Sequence, residues 1–253
     1  MSVEQTGVLT CTAIEDVERP EHAGHQSGPE NGDRPIPSNA RFLNGDDGFM
    51  AASRFRRSVK GTIDRIGAAM LLGVLSPLMA VIAFLIRMSS PGPALFRQER
   101  VGRNGRTFHI FKFRTMHTDA EEKQTELNQL NEQDGPVFKI RDDPRVTNLG
   151  RYLRRLSLDE LPQLINVLGG EMSLVGPRPP LPDEVASYND WELQRLHVKP
   201  GLTCTWQVSG RSEVDFQTWM KMDIDYIGDW SLTTDLKLLA KTLPAVVKRD
   251  GAY

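Results

Sequence analysis

Two adjacent carboxylates, Asp159 and Glu160, stand in the stretch Arg154-Arg155-Leu156-Ser157-Leu158-Asp159-Glu160-Leu161-Pro162-Gln163, and Gly176-Pro177-Arg178-Pro179 follows. Pro162 suits the first turn of a helix and not its interior, so the pair is expected at a helix start. That helix is expected to run through Leu161, Leu164, Ile165 and Leu168 and to end at Gly169-Gly170. Backbone N–H groups at a helix start favour an anion, and a carboxylate there can ligate a metal or attack phosphorus. Guanidiniums on either side can each grip two phosphate oxygens. The combination points to phosphate chemistry. Ser157-x-x-Glu160 also spells a capping box, in which Glu160 only satisfies a backbone donor, and the residue types alone do not separate the two readings.

The chain that must position these groups has 253 residues, enough for one large domain or two small ones, and its formal net charge of −2 points to no nucleic acid or other polyanionic partner. Charge is uneven, with Arg54, Arg56, Arg57, Lys60 and Arg65 in one short stretch and Asp119, Glu121, Glu122 and Glu126 in another. The first is a candidate contact with anionic lipid head groups; the second reads as a solvated helix face. Only two cysteines occur, Cys11 and Cys204, without metal-ligand spacing, which argues for a reducing compartment and against a disulfide framework or a zinc site. No Ser/His/Asp set, Walker glycine loop or dinucleotide fingerprint is present.

Residues 1–52 are polar, with few aliphatics and no periodicity, and read as a disordered leader that is not a signal peptide. The run from Ile66 to Ile86 then holds 21 residues without a charge, about 32 Å as a helix and enough to cross a bilayer. Ser76-Pro77 stands at its middle, where proline removes a backbone hydrogen bond and kinks a helix. Positive charge flanks both ends, Lys60 and Arg65 before and Arg87, Arg97, Arg100, Arg103 and Arg106 after, so the positive-inside rule puts both flanks in the cytoplasm. A helix that enters one leaflet, bends at Ser76-Pro77 and returns meets both observations. A single span and a buried core helix are the alternatives.

Beyond it, Ala94 to Val101 and Thr107 to Arg114 read as strands joined by Asn104-Gly105 in a hairpin turn. Thr118 to Gln133 reads as an acidic helix, Leu149 to Leu156 as a basic one, and Asp183 to Leu196 as helical. Val198 to Ser209 is irregular or extended, and helices close the chain around Phe216 to Ile227 and Thr234 to Lys248. Trp219, Met220, Met222, Lys221, Lys237 and Lys241 suit either amphipathic helices in the head-group region or packing on the protein's own core.

The ordered series Ser76-Pro77, Pro91-Gly92-Pro93, Lys112-Phe113-Arg114-Thr115-Met116, Asp143-Pro144-Arg145, Ser157-Leu158-Asp159-Glu160-Leu161-Pro162-Gln163, Gly170-Glu171-Met172-Ser173-Leu174-Val175-Gly176-Pro177-Arg178-Pro179 and Pro200-Gly201-Leu202-Thr203 resembles the bacterial sugar transferases, the monotopic phosphoglycosyl transferases. The likeness covers about residues 55–253. It implies an α+β, mainly helical fold: a re-entrant membrane helix hairpin bent at Ser76-Pro77, plus a compact cytosolic domain with a small β-hairpin and interfacial amphipathic helices. The implied divisions are a leader over 1–52, a basic flank and re-entrant helix over 53–90 and a catalytic domain over 91–253.

The resemblance implies transfer of a sugar 1-phosphate from a UDP-sugar to undecaprenyl phosphate, a polyprenyl phosphate lipid, with release of UMP. This would occur on the cytoplasmic face of the bacterial inner membrane. It makes Asp159 the nucleophile that forms a phosphosugar-aspartyl intermediate, in ping-pong order, with Mg2+ between Asp159, Glu160 and the donor diphosphate. Glu160 is then an aid to metal binding or to the second step. Arg154 and Arg178 line the phosphate site and Arg211 is a further candidate, while Lys112 and Arg114 either contact phosphate or rim the hairpin. The polar leader stands where large members carry membrane helices, and the tail from Trp230 to Tyr253 is like that of longer members. Both features favour the priming of exopolysaccharide or capsule repeat units, with UDP-galactose or UDP-glucose as donor by analogy. A non-catalytic membrane scaffold and a metal-dependent nucleotide-sugar diphosphatase are the competing readings.

Overall fold

The apolar run becomes the middle of one long helix, α1 (Arg54–Ser89), ended by Pro91-Gly92-Pro93, whose Gly92 takes a φ of 110° that other residues resist. This computed structural model describes residues 54–132, 134–138, 140–209 and 214–248. The expected leader over 1–52 and the candidate Arg211 lie outside them.

Pro77 sits inside α1, which continues through it as a single helix, and Ser76 Oγ donates to the Gly73 carbonyl at 3.0 Å. The helix is long and apolar enough to cross a membrane, and only 11% of its apolar window is buried, whereas a core helix is mostly buried. Its exposed face carries Met70, Val74, Leu78, Val81 and Phe84.

Both ends of α1 are nevertheless fastened to the domain that follows. At the first, Lys60 Nζ donates to Asp235 Oδ2 at 2.6 Å and Ser173 Oγ to Asp64 Oδ2 at 2.7 Å, while Ala68 is buried among Leu164, Val167 and Leu174. At the second, Ile82 and Ile86 are buried with Phe113 and Leu153.

The hairpin forms as expected: β1 (Leu95–Val101) and β2 (Thr107–Phe113) pair antiparallel, with Val101 opposite Thr107. Asn104 and Gly105 turn with φ of 57° and 75°, the left-handed pair that such a turn requires. The free edge of β2 is closed by the buried side chain of Asn166, which accepts from the Phe111 N–H at 3.1 Å and donates to the His109 carbonyl at 2.7 Å.

The expected acidic helix shortens to a 3₁₀ stretch over Glu122–Leu130, and α2 (Asn148–Arg155) follows, capped by the Thr147 hydroxyl, which accepts from the Gly150 N–H. Next come a 3₁₀ helix over Leu158–Gln163 and α3 (Leu164–Gly169), which Gly170 ends at a φ of 85°. Two three-residue strands, β3 (Ser173–Val175) and β4 (Gly201–Thr203), form a parallel pair that the sequence did not announce. The helix expected over Asp183 to Leu196 is α4 (Pro182–Ala186) and a separate 3₁₀ turn over Glu192–His197. Helices α5 (Phe216–Gly228) and α6 (Leu232–Lys248) close the chain.

Of the two readings of Trp219 and Met220, packing on the protein's own core holds and the head-group face does not. Trp219 is 4% exposed and Met220 is fully buried, and Trp219 packs between Trp206 and Phe216. A ring so placed contributes to the core of the domain and cannot reach lipid.

Candidate active site

The carboxylates lie where the chain turns from α2 into the 3₁₀ helix Leu158–Gln163. The turn is made by Ser157 in the left-handed region, with a φ of 52°. Its hydroxyl makes no cap hydrogen bond, and Glu160 reaches across to β2 instead, 2.8 Å from Lys112 Nζ. The capping-box reading therefore fails, and Glu160 is half-buried in an ion pair between distant segments.

Asp159 is 8% exposed. Burial, then the charge of adjacent Glu160, push its carboxyl up to about 6, against the pull of Lys112 and Arg154. Burial acts upward on Glu160 as well, but the Lys112 ion pair and the charges of Arg178 and Arg100 overcome it and hold this carboxyl below its usual range. Neighbours in sequence thus have opposite tendencies.

Arg154 lies in the last turn of α2, and its Nε donates to Thr115 Oγ1 at 3.0 Å, which aims the guanidinium into the field of Asp159 and Asp143. The approach depends on Gly150, one turn earlier: a Cβ there would lie 2.0 Å from the Thr115 carbonyl oxygen. Asp143 is held in turn by Arg145, at 2.7 Å.

Arg178 lies in the loop after β3, over the Trp219 ring at 5.5 Å, with Nη1 3.5 Å from Glu184. Its backbone carbonyl accepts from the fully buried Arg195, which also pairs with Asp223 at 2.6 Å and Tyr188 at 2.8 Å. The glycine pair Gly176 and Gly201 lets the two loops touch, since a Cβ on Gly201 would lie 2.0 Å from the Gly176 nitrogen.

A single cleft of about 1580 Å³ is lined by Lys112, Arg154, Asp159, Glu160 and Arg178, with Asp143 and Arg100 added. Arg100 was missed. It is 5% exposed, held by Gln98 and the Pro179 carbonyl, and burial followed by the charge of Arg178 brings its guanidinium down to about 9. In sequence it is one more polar residue of a strand, and only its register turns it inward. Arg114 also lines the cleft, but its guanidinium donates to the Ser90 and Pro91 carbonyls and so ties down the loop after α1. Ser76 and Pro77 are not among the lining residues. The far wall is apolar, formed by Met70, Leu71 and Val74 of α1 and Leu239 of α6.

Among the described residues no three His, Cys, Asp or Glu side chains gather as a metal cluster. A magnesium ion needs only one or two carboxylates when phosphate oxygens and water complete its shell. Asp159 and Glu160 meet that requirement, and the burial and like charge that disfavour ionised Asp159 are what a hard dication would offset.

A family model described as bacterial sugar transferase matches residues 55–249. The chain is 49% identical over 162 residues to the galactosyl transferase CpsE of Streptococcus agalactiae, covering 64% of this chain and 36% of that protein. It is 44% identical over 209 residues to the undecaprenyl-phosphate galactose phosphotransferase of Salmonella typhimurium, covering 80% and 43%. Against the exopolysaccharide production protein ExoY of Rhizobium meliloti it is 41% identical over 198 residues, covering 77% and 88%. The chain thus spans less than half the length of the first two relatives and most of the third.

Proposed function

The chain belongs to the bacterial sugar transferase family, and on that premise we propose that it moves a sugar 1-phosphate from a UDP-sugar to undecaprenyl phosphate and releases UMP. The observation that carries this reading is the cleft itself, which joins a buried carboxylate ringed by Lys112, Arg154, Arg178 and Arg100 to an apolar wall on α1. A charged donor and a lipid acceptor need such a pairing.

In the first step an Asp159 oxygen attacks the sugar-bearing phosphorus. The bond to the bridging oxygen breaks, and UMP leaves with the electron pair. In the second step an oxygen of the lipid phosphate attacks the same phosphorus and the Asp159 carboxylate departs, which gives ping-pong kinetics. Lys112 and Arg154 face Asp159 and stabilise charge on the transferring group; Arg178 and Arg100 lie nearer Glu160 and suit the UMP side. Glu160, held by Lys112, keeps that lysine in register with the nucleophile. Magnesium, held by Asp159 and Glu160 with the donor, would lower the repulsion between an anionic nucleophile and an anionic diphosphate.

The re-entrant course of α1 rests on its two fastened ends. A crossing sets Asp64 and Ile86 on opposite sides of a hydrocarbon layer about 30 Å thick, and one cytoplasmic domain cannot hold both there. A helix that dips into one leaflet and returns can. On this reading the helix bends at Ser76-Pro77, the catalytic domain over 91–253 lies on the cytoplasmic face of the inner membrane, and the product starts an exopolysaccharide or capsule repeat unit.

The test is incubation of purified protein with magnesium and a panel of UDP-sugars, UDP-galactose and UDP-glucose first, with and without undecaprenyl phosphate. UMP with a lipid-linked sugar phosphate supports the transferase. UMP with free sugar phosphate identifies a diphosphatase, and silence with every donor returns the chain to a scaffold role. Excess EDTA is expected to stop both half-reactions; activity that survives it removes magnesium from the reading.

A further inference from the structure

Two buried N–H donors on the cleft wall have hydrogen bonds unmade. The indole Nε1 of Trp206 has no acceptor, and Arg178 Nη1 has only the Glu184 carboxylate, 3.5 Å away and without hydrogen-bond geometry; both residues line the cleft. Trp219 bridges them, its ring 4.8 Å from that of Trp206 and 5.5 Å from the Arg178 guanidinium. Buried donors are paired in the great majority of cases, because an unmade bond there leaves the cost of lost hydration unreturned. Two such donors on one wall mark two positions where a ligand brings acceptor oxygens.

The surface between them selects the ligand. The half-buried Trp206, backed by the Trp219 ring, and Val214 present apolar side chains, and the indole face matches a planar ring better than the hydroxyls of a sugar. The wall on α1, which suits the polyprenyl chain, packs instead on the other two hydrophobic clusters of the domain. Resting on the transferase reading, we infer that Trp206 Nε1 donates to a carbonyl oxygen of the donor's uracil ring while Arg178 holds its phosphate. Trp206 is then a specificity-determining residue on the nucleotide side of the cleft, and its indole N–H exchanges an unsatisfied state for a bonded one when the donor binds.

Calorimetric titration of the purified full chain with magnesium tests this. Trp206→Phe is expected to weaken UMP about tenfold and to leave ribose 5-phosphate, which has no base, unchanged. With the unaltered protein, either 2-thio-UMP or 4-thio-UMP is expected to bind several-fold more weakly than UMP, because a thiocarbonyl is the poorer acceptor. That arm does not depend on the folding of a variant. Equal UMP affinity in Trp206→Phe, or thio-UMPs that both bind like UMP, overturns the inference. If transfer from a UDP-sugar to undecaprenyl phosphate is observed alongside such a result, the base contact fails and the transferase reading stands; no transfer from any donor fails the reading itself.

Discussion

Glu160 Oε1 lies 2.8 Å from Lys112 Nζ, so that of two adjacent carboxylates lining the cleft the second takes the lysine as its ion-pair partner. Both carboxylates stand in the 3₁₀ helix Leu158–Gln163, and Lys112 on β2 arrives from 48 residues away in sequence. The ion pair lowers the Glu160 carboxyl while burial and Glu160 raise that of Asp159.

Asp159→Asn is expected to abolish transfer and leave the fold intact. Because the folded-state carboxyl is raised above its unfolded value, ionised Asp159 destabilises the protein. The destabilisation is absent below the unfolded value near 4, grows as pH rises, and is complete above about 6. The amide variant should therefore melt at or above the temperature of the original at pH 8 in EDTA, with the gain lost at pH 4. Melting curves at the two pH values, with a transfer assay, check both halves; substantial residual transfer removes Asp159 as nucleophile.

Lys112→Met should move the acidic limb of the kcat/KM profile to higher pH. Lys112 lowers both carboxyls, so its loss raises them, and more alkali is needed to ionise the nucleophile. A limb that stays in place while kcat falls would assign the lysine to the transferring phosphate alone.

Gly150→Ala should cost about 3 kcal/mol or more, since the added methyl meets backbone and not a flexible side chain. The helix can relieve the clash only by leaving Thr115, which carries Arg154 off the site. Denaturant unfolding measures the first effect and donor KM the second. Gly169→Ala, where a Cβ meets nothing within 4 Å, is the control.

Pro77→Leu should straighten α1 toward a crossing and send residues 1–52 to the outer side. Cys11 is the only other cysteine beside buried Cys204, so an impermeant thiol reagent applied to intact cells reads its side directly. The unaltered chain should stay unlabelled and the variant become labelled. If the variant also stays unlabelled, the proline does not set the course of the helix.

Sequence by itself determined the parts whose physics is local. The Asn104-Gly105 hairpin, α2, α5 and α6, and the long apolar α1 follow from turn chemistry and periodicity, and the order of short motifs brought out the family; its candidates Asp159, Glu160, Arg154 and Arg178 share one cleft. Only the tertiary structure decided which carboxylate takes Lys112, that Ser157 turns the chain without capping it, that Arg100 faces inward, and that Trp219 and Met220 are core. It also decided that Arg195 and Asp223 form a buried pair under Arg178, and that Arg114 ties a loop. These outcomes depend on which distant segments meet. A side chain's partner, and hence its charge and burial, is a property of contacts between elements that no local pattern of residues encodes.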